Sequence, residues 1–148
     1  MRGATDELRE TVGRRLGRHQ LRLTSVREHI VDVLASSDRP LTIPEILASR
    51  DGLAQSSVYR NLVVLEDADV VRRVVTHDEF ARYELAEGLT EHHHHLVCSN
   101  CGRVEDLPAS AALERSVQSA VELAASKAGF RTEHHRLDLV GTCADCAS

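Results

Sequence analysis

Two cysteine pairs, Cys98/Cys101 and Cys143/Cys146, constrain this 148-residue chain more than any other feature. A two-residue gap lets both thiolates of a pair reach one tetrahedral ion. The 41 residues between Cys101 and Cys143 must therefore fold back and bring the pairs together. In a secreted chain, four cysteines could instead form two disulfides. In a reducing compartment, the CxxC spacing reads as metal ligation. Four thiolates leave no open coordination position, so the expected site is structural zinc at Cys98, Cys101, Cys143 and Cys146. Buried or redox-active cysteines are the plainer alternative.

The charged N-terminus lacks the apolar core of a signal peptide, and no apolar run reaches the length of a membrane span. A cytoplasmic protein with no membrane partner is expected. Apolar residues make up 42% of the chain, enough for one large or two small domains, and with only 3% aromatics the cores must be aliphatic. The net charge of -5 argues against indiscriminate nucleic-acid binding, but it is unevenly spread. Residues 1–76 carry 12 arginines against 11 acids, whereas residues 77–148 carry 6 Lys plus Arg against 12 acids. A basic front and an acidic, His-rich rear imply two jobs.

The front half reads as helices. Asp6 to Gln20 is a polar, Arg-rich helix, and Thr24 caps a second whose Val26, Ile30, Val33 and Leu34 follow helical spacing. Thr42-Ile43-Pro44-Glu45 combines a capping box with a first-turn proline, which starts a third helix carrying Ile46 and Leu47 inward. A fourth begins near Ser56 with Val58, Leu62 and Leu65 on its buried side. Two β-like runs follow, Val70–Val75 and Ala81–Leu85. This order is that of a winged helix-turn-helix, expected over residues 1–86. A hinge is expected at 87–91, then a small α/β dimerisation domain over 92–148, giving an α+β chain. In that second domain, strands are expected near 93–98, 103–107 and 132–140. A helix near 110–128 should pack on Leu113, Val117, Val121 and Ala124.

The run His92-His93-His94-His95 gains meaning on a strand, where neighbouring side chains point to opposite faces. His92 and His94 then face one way, with Glu114 and His135 as completing ligands. His93 and His95 face the other, with Glu84 and Asp106 available. One strand can thus feed two sites, and a ligand set including Glu84 would draw on both domains, making their arrangement depend on metal. The plainer reading of Glu114 is a solvated helix residue, and of Glu84 an arginine partner.

The fourth helix has one apolar face and one polar face, the profile of a helix that enters the major groove of double-stranded DNA. Arg60 can donate to guanine or phosphate and Asn61 to adenine, while Ser56 and Ser57 suit phosphates. Arg14, Arg15, Arg18 and Arg22 can supply further phosphate contacts. A solvated helix face would look the same.

The segment Ser56-Ser57-Val58-Tyr59-Arg60-Asn61-Leu62 resembles the recognition-helix signature of the ferric uptake regulator family. Tyr83-Glu84-Leu85, the run from His92 to Cys98 with Cys101-Gly102, and Gly141-Thr142-Cys143-Ala144-Asp145-Cys146 resemble its metal-binding segments. The match runs in order from about Leu21 to the C-terminus. The resemblance implies a homodimeric regulator of metal homeostasis or oxidative-stress genes that binds inverted-repeat operators when metallated. It assigns the four cysteines to structural zinc and His92, His94, Glu114 and His135 to a second metal site. Glu84, His93 and His95 match the regulatory site, Asp106 a carboxylate some members use there, and Tyr59 a DNA contact. Two departures stand out: Pro40 where many members supply a regulatory histidine, and Ala86 where zinc-sensing members often carry cysteine. The nitrogen-and-oxygen ligand set leans towards iron or manganese over zinc.

The leading expectation is therefore a metal-dependent repressor, not an enzyme. A peroxide-sensing member of the same family, acting through oxidation of iron-ligating histidines, is the alternative. From other classes come a zinc-dependent hydrolase, for which no HExxH motif is present, and a zinc-ribbon interaction module.

Overall fold

The computed structural model describes residues 2–148 and separates into two compact units, one running up to Glu91 and one from His92 to Ser148.

The first unit opens with α1 (Arg2–Arg18), α2 (Ser25–Ala35), the short strand β1 (Leu41–Thr42), α3 (Ile43–Ala48) and α4 (Gln55–Asp67). The antiparallel strands β2 (Val71–Val74) and β3 (Arg82–Leu85) complete it, in sheet order β1-β3-β2. The sequence explains the helix starts. Thr24 accepts from the Arg27 amide at the head of α2. At α3, Thr42 and Glu45 bond reciprocally to each other's backbone amides, with Pro44 in the first turn where no donor is needed. Ile30, Val31, Leu34, Ile46, Val58, Leu62 and Leu65 from α2, α3 and α4 meet in one core, closed by Val70, Val71 and Tyr83 from the hairpin.

Helix α1 departs from its polar reading. Val12 and Leu16 are fully buried in that core, and their spacing of four puts them on one helix face. Arg15, expected to face DNA, bonds to the carbonyl and carboxylate of Asp69. The chain leaves α1 through Gln20 at φ 59, so the helix ends at Arg18. Beyond β3, Ala86 donates to Val70 and Leu89 packs against the first unit's core, so this stretch is tied to the helices' side.

The hairpin loop is held by one guanidinium. Arg82 donates to both carboxylate oxygens of Asp78, each at 2.7 Å, and to Thr76 at 2.9 Å. This holds the Asp78 carboxyl well below its ordinary range, through the Arg82 hydrogen bond first and the Thr76 bond after it.

The second unit contains β4 (His93–Cys98), β5 (Val104–Pro108), α5 (Ala111–Lys127), β6 (Asp138–Gly141) and α6 (Ala144–Ala147). The sheet order is β5-β4-β6, antiparallel on one side of β4 and parallel on the other. The expected last strand starts only at Asp138, leaving 131–137 irregular, and α6 is an addition. The apolar stripe of α5 finds no core: none of its residues is buried, and Leu123, Phe130, Leu139 and Val140 are all largely exposed. That much uncovered aliphatic surface marks an association face more often than a free one.

Leu16→Ala is expected to cost about 2–5 kcal/mol of stability, read by urea denaturation. A loss below about 1 kcal/mol would contradict the placement of α1 in the core.

Candidate metal centres and helix face

The four cysteines converge at one end of the second unit. Cys98 ends β4, and Cys101 follows in the tight turn to β5, where Gly102 takes φ 75 and donates to the Cys98 carbonyl. Cys143 and Cys146 bracket the first turn of α6, and the Cys143 amide donates to Cys98 Sγ at 3.3 Å. An Arg103–Asp145 ion pair of 2.6 Å ties the two turns together. Cys101 and Cys143 sulfurs lie 3.8 Å apart. A disulfide would need about 2.05 Å, whereas four sulfurs at about 2.3 Å from a central ion are separated by about 3.8 Å. The donor set and spacing therefore fit zinc. Backbone amides of Cys101, Cys143 and Asn100 lower the Cys98 thiol to about 6. Cys146 goes the other way: the Asn100 side chain lowers it, but its thiol neighbours and burial outweigh that and push it up to about 11. Crowded thiols resist ionising together until a cation compensates them.

Strand β4 sorts the histidines as its period of two requires. On one side, Glu114 in the first turn of α5 receives three imidazoles. His94 Nε2 is 2.6 Å from Oε1, and His135 Nε2 and His92 Nε2 are 3.0 and 3.4 Å from Oε2. Ser110 caps α5 by accepting from Leu113, which fixes Glu114 at the sheet. His135 Nε2 is buried and makes no hydrogen bond despite its distance from the carboxylate. Two donors aimed past each other suit a shared ion better than a mutual bond. The His94 hydrogen bond, opposed by burial and reinforced by the charges of His94, His135 and His92, holds the Glu114 carboxyl below its ordinary value.

On the other side, His93 Nε2 and His95 Nε2 lie 3.8 and 3.9 Å from the same oxygen of Asp106. These separations exceed a hydrogen bond and lie about half an ångström beyond the edge of about 3.3 Å in a nitrogen-and-oxygen coordination shell, leaving room for an ion to draw the three groups in. His95 is the register partner of Asp106 on β5 and of Asp138 on β6, and its Nδ1 is 3.2 Å from Asp138. Sequence reasoning missed Asp138, whose only signal is a strand pairing across 43 residues. Glu84 sits on β3 of the first unit, directly opposite Arg72, which donates to its carboxylate.

On α4, Ser56, Tyr59 and Arg60 are exposed, opposite the buried Val58, Leu62 and Leu65. Arg60 leans back on the Ser56 carbonyl at 3.3 Å. Asn61 is engaged at both ends: it accepts from Arg27 Nε at 2.9 Å and donates to the Ser57 carbonyl at 2.8 Å. Arg27 also donates to the carbonyl of Arg22, whose own side chain is exposed. Arg27 thus bolts α4 to the head of α2, a contact 34 residues apart that no local pattern reveals.

Protein purified without chelator is expected to hold one zinc per chain at the cysteines. Metal analysis by mass spectrometry should show it absent from Cys101→Ser and present in His92→Ala. Zinc retained by Cys101→Ser would contradict the four-thiolate assignment.

The ferric uptake regulator family model matches residues 18–140. Among curated proteins, the peroxide operon regulator of Bacillus subtilis is 28% identical over 148 residues, covering 97% of this chain and 96% of its own. A peroxide-responsive repressor of Staphylococcus aureus is 28% identical over 95% of this chain and 91% of its own. Among solved structures, the Helicobacter pylori ferric uptake regulator, described as having three functional metal-binding sites, superposes with a TM-score of 0.77 at 27% identity. It covers 97% of this chain and 94% of its own. With most of its length matched by the family model and its winged-helix and metal-binding parts in the family's order, the chain belongs to the ferric uptake regulator family, whose members are metal-responsive transcriptional regulators.

Proposed function

We propose that this protein is a cytoplasmic, homodimeric repressor that binds inverted-repeat DNA when a divalent metal occupies His93, His95 and Asp106, with Glu84 as the ligand from the DNA-binding half. The observation that carries this reading is the division of labour along β4 and the residue just before it, which sends His93 and His95 to one carboxylate and His92 and His94 to another. Zinc at the four cysteines would leave no open coordination position there, so a separate site of nitrogen and oxygen donors would be the one to answer to metal supply. Such donors suit iron(II), manganese(II) or zinc(II), and the metal would supply a positive charge that neutralises the facing carboxylates. His92, His94, Glu114 and His135 form the second metal site.

In the DNA-binding half, α4 presents Ser56, Ser57, Tyr59 and Arg60 to the major groove, and Arg22 supplies a phosphate contact. Asn61 reaches a base only by exchanging its bonds to Arg27 and Ser57; otherwise it sets the pitch of α4. The exposed aliphatic surface of α5 and β6 is the dimer face, and a two-fold dimer matches an inverted repeat. A metal that took Glu84 together with His93 and His95 would link metal and DNA affinities. The family consists of transcriptional regulators, which favours this reading over a hydrolase.

A second reading has its own support: the curated relatives named above are peroxide regulators. In that case peroxide acts on an iron-loaded site and oxidises His93 or His95.

Fluorescence anisotropy on an inverted-repeat operator tests the first reading. With zinc retained and iron(II), manganese(II) or zinc(II) titrated in turn, one metal is expected to raise affinity about tenfold or more, about 1.4 kcal/mol of coupling. His93→Ala should abolish the gain. An operator bound equally with and without added metal would overturn it. For the second reading, hydrogen peroxide should release DNA from the iron-loaded but not the manganese-loaded protein, with an added oxygen on His93 or His95 by peptide mass spectrometry.

A further inference from the structure

His95 occupies the middle of a cross-strand row. Asp106 on β5 and Asp138 on β6 are its register partners on either side. Residues directly opposite one another share a sheet face, so the imidazole lies between two carboxylates. They meet different nitrogens. Asp106 faces Nε2 at 3.9 Å, beyond hydrogen-bond range, together with His93 Nε2. Asp138 faces Nδ1 at 3.2 Å, within it.

An imidazole has one proton to place when neutral, and its position decides which nitrogen keeps a lone pair. A carboxylate accepts but cannot donate, so Asp138 holds that proton on Nδ1. Nε2, the nitrogen turned towards His93 and Asp106, is then left as the donor. The hydrogen bond to Asp138 also fixes the plane of the ring. The backbone supports this arrangement: the parallel β4–β6 pairing runs from His95↔Asp138 to Cys98↔Gly141. The same two strands therefore align the cysteine cluster and the Asp138–His95 pair.

We propose that Asp138 is a positioning residue for the regulatory metal: it holds His95 in the Nδ1–H tautomer and raises that site's affinity without itself joining the ligands. This rests on the metal-sensing reading of His93, His95 and Asp106, which nothing about Asp138 is needed to support.

The test uses the full-length, zinc-retaining dimer and two substitutions. Asp138→Ala removes the acceptor, and Asp138→Asn keeps an acceptor oxygen while removing the charge. Long-range proton–nitrogen NMR of the protein without added metal is expected to show the parent's His95 protonated at Nδ1, with Asp138→Ala shifting it to a mixture. Cobalt(II) titrations should show affinity at the His93/His95 site falling about 10- to 100-fold in Asp138→Ala, with an intermediate loss in Asp138→Asn. One zinc per chain in each variant reports an intact fold. A parent His95 protonated at Nε2, or cobalt affinity within about threefold of the parent in Asp138→Ala, would overturn the proposal. Failure of the underlying reading looks different: cobalt binding by the parent would then be insensitive to His93→Ala, and the proposal would fall with it.

Discussion

A β-strand turns each successive side chain to the opposite face of its sheet, and the chemistry of this protein depends on that alternation in β4. Four consecutive histidines on a helix or loop would compete for one ion or scatter around it. On a strand they divide into two pairs, each meeting a carboxylate fixed by a different element: Glu114 by the capped start of α5, Asp106 by register with β5. Cys98 ends the same strand, so the cysteine cluster anchors the stretch of backbone that presents the histidines. Zinc there would act on function indirectly, by holding β4, β5 and β6 in register.

The two units solve the problem of stability differently. The first closes an aliphatic core from four helices and a hairpin, with Val12 and Leu16 of α1 sealed into it. The second has a small core of Val97, Cys98 and Val104 beside buried His94 and leaves α5 uncovered. A domain of that size with so little buried aliphatic surface would gain stability from metal at its cysteine and histidine clusters and from a partner subunit over α5. This links its stability to the ions and the partner that its function needs.

Much of this was legible in the sequence, for local reasons. Capping at Thr24 and Thr42, the helical spacing of Val58, Leu62 and Leu65, and the period-two reading of the histidine run each rest on residues within a few positions of one another. What escaped depended on distant partners. Arg15 binds Asp69, Arg27 binds Asn61, and Asp138 binds His95, across 54, 34 and 43 residues. The polar look of α1 hid two buried aliphatics among seven exposed or half-exposed charges. Apolar alternation through Leu137 predicts a longer last strand, while the register with β4 starts at Asp138, one residue after the Leu137 carbonyl that accepts from the His95 amide.

The central claim is that adjacent histidines on β4 serve separate ions. Native mass spectrometry of the zinc-retaining protein loaded with cobalt(II) tests it directly, comparing His92→Ala with His93→Ala and with the double substitution. Each single substitution is predicted to remove one cobalt ion per chain and leave the other, and the double substitution to remove both. If His92→Ala and His93→Ala lost the same ion, or if either alone emptied both sites, the histidines would belong to one shared cluster and the account would be wrong.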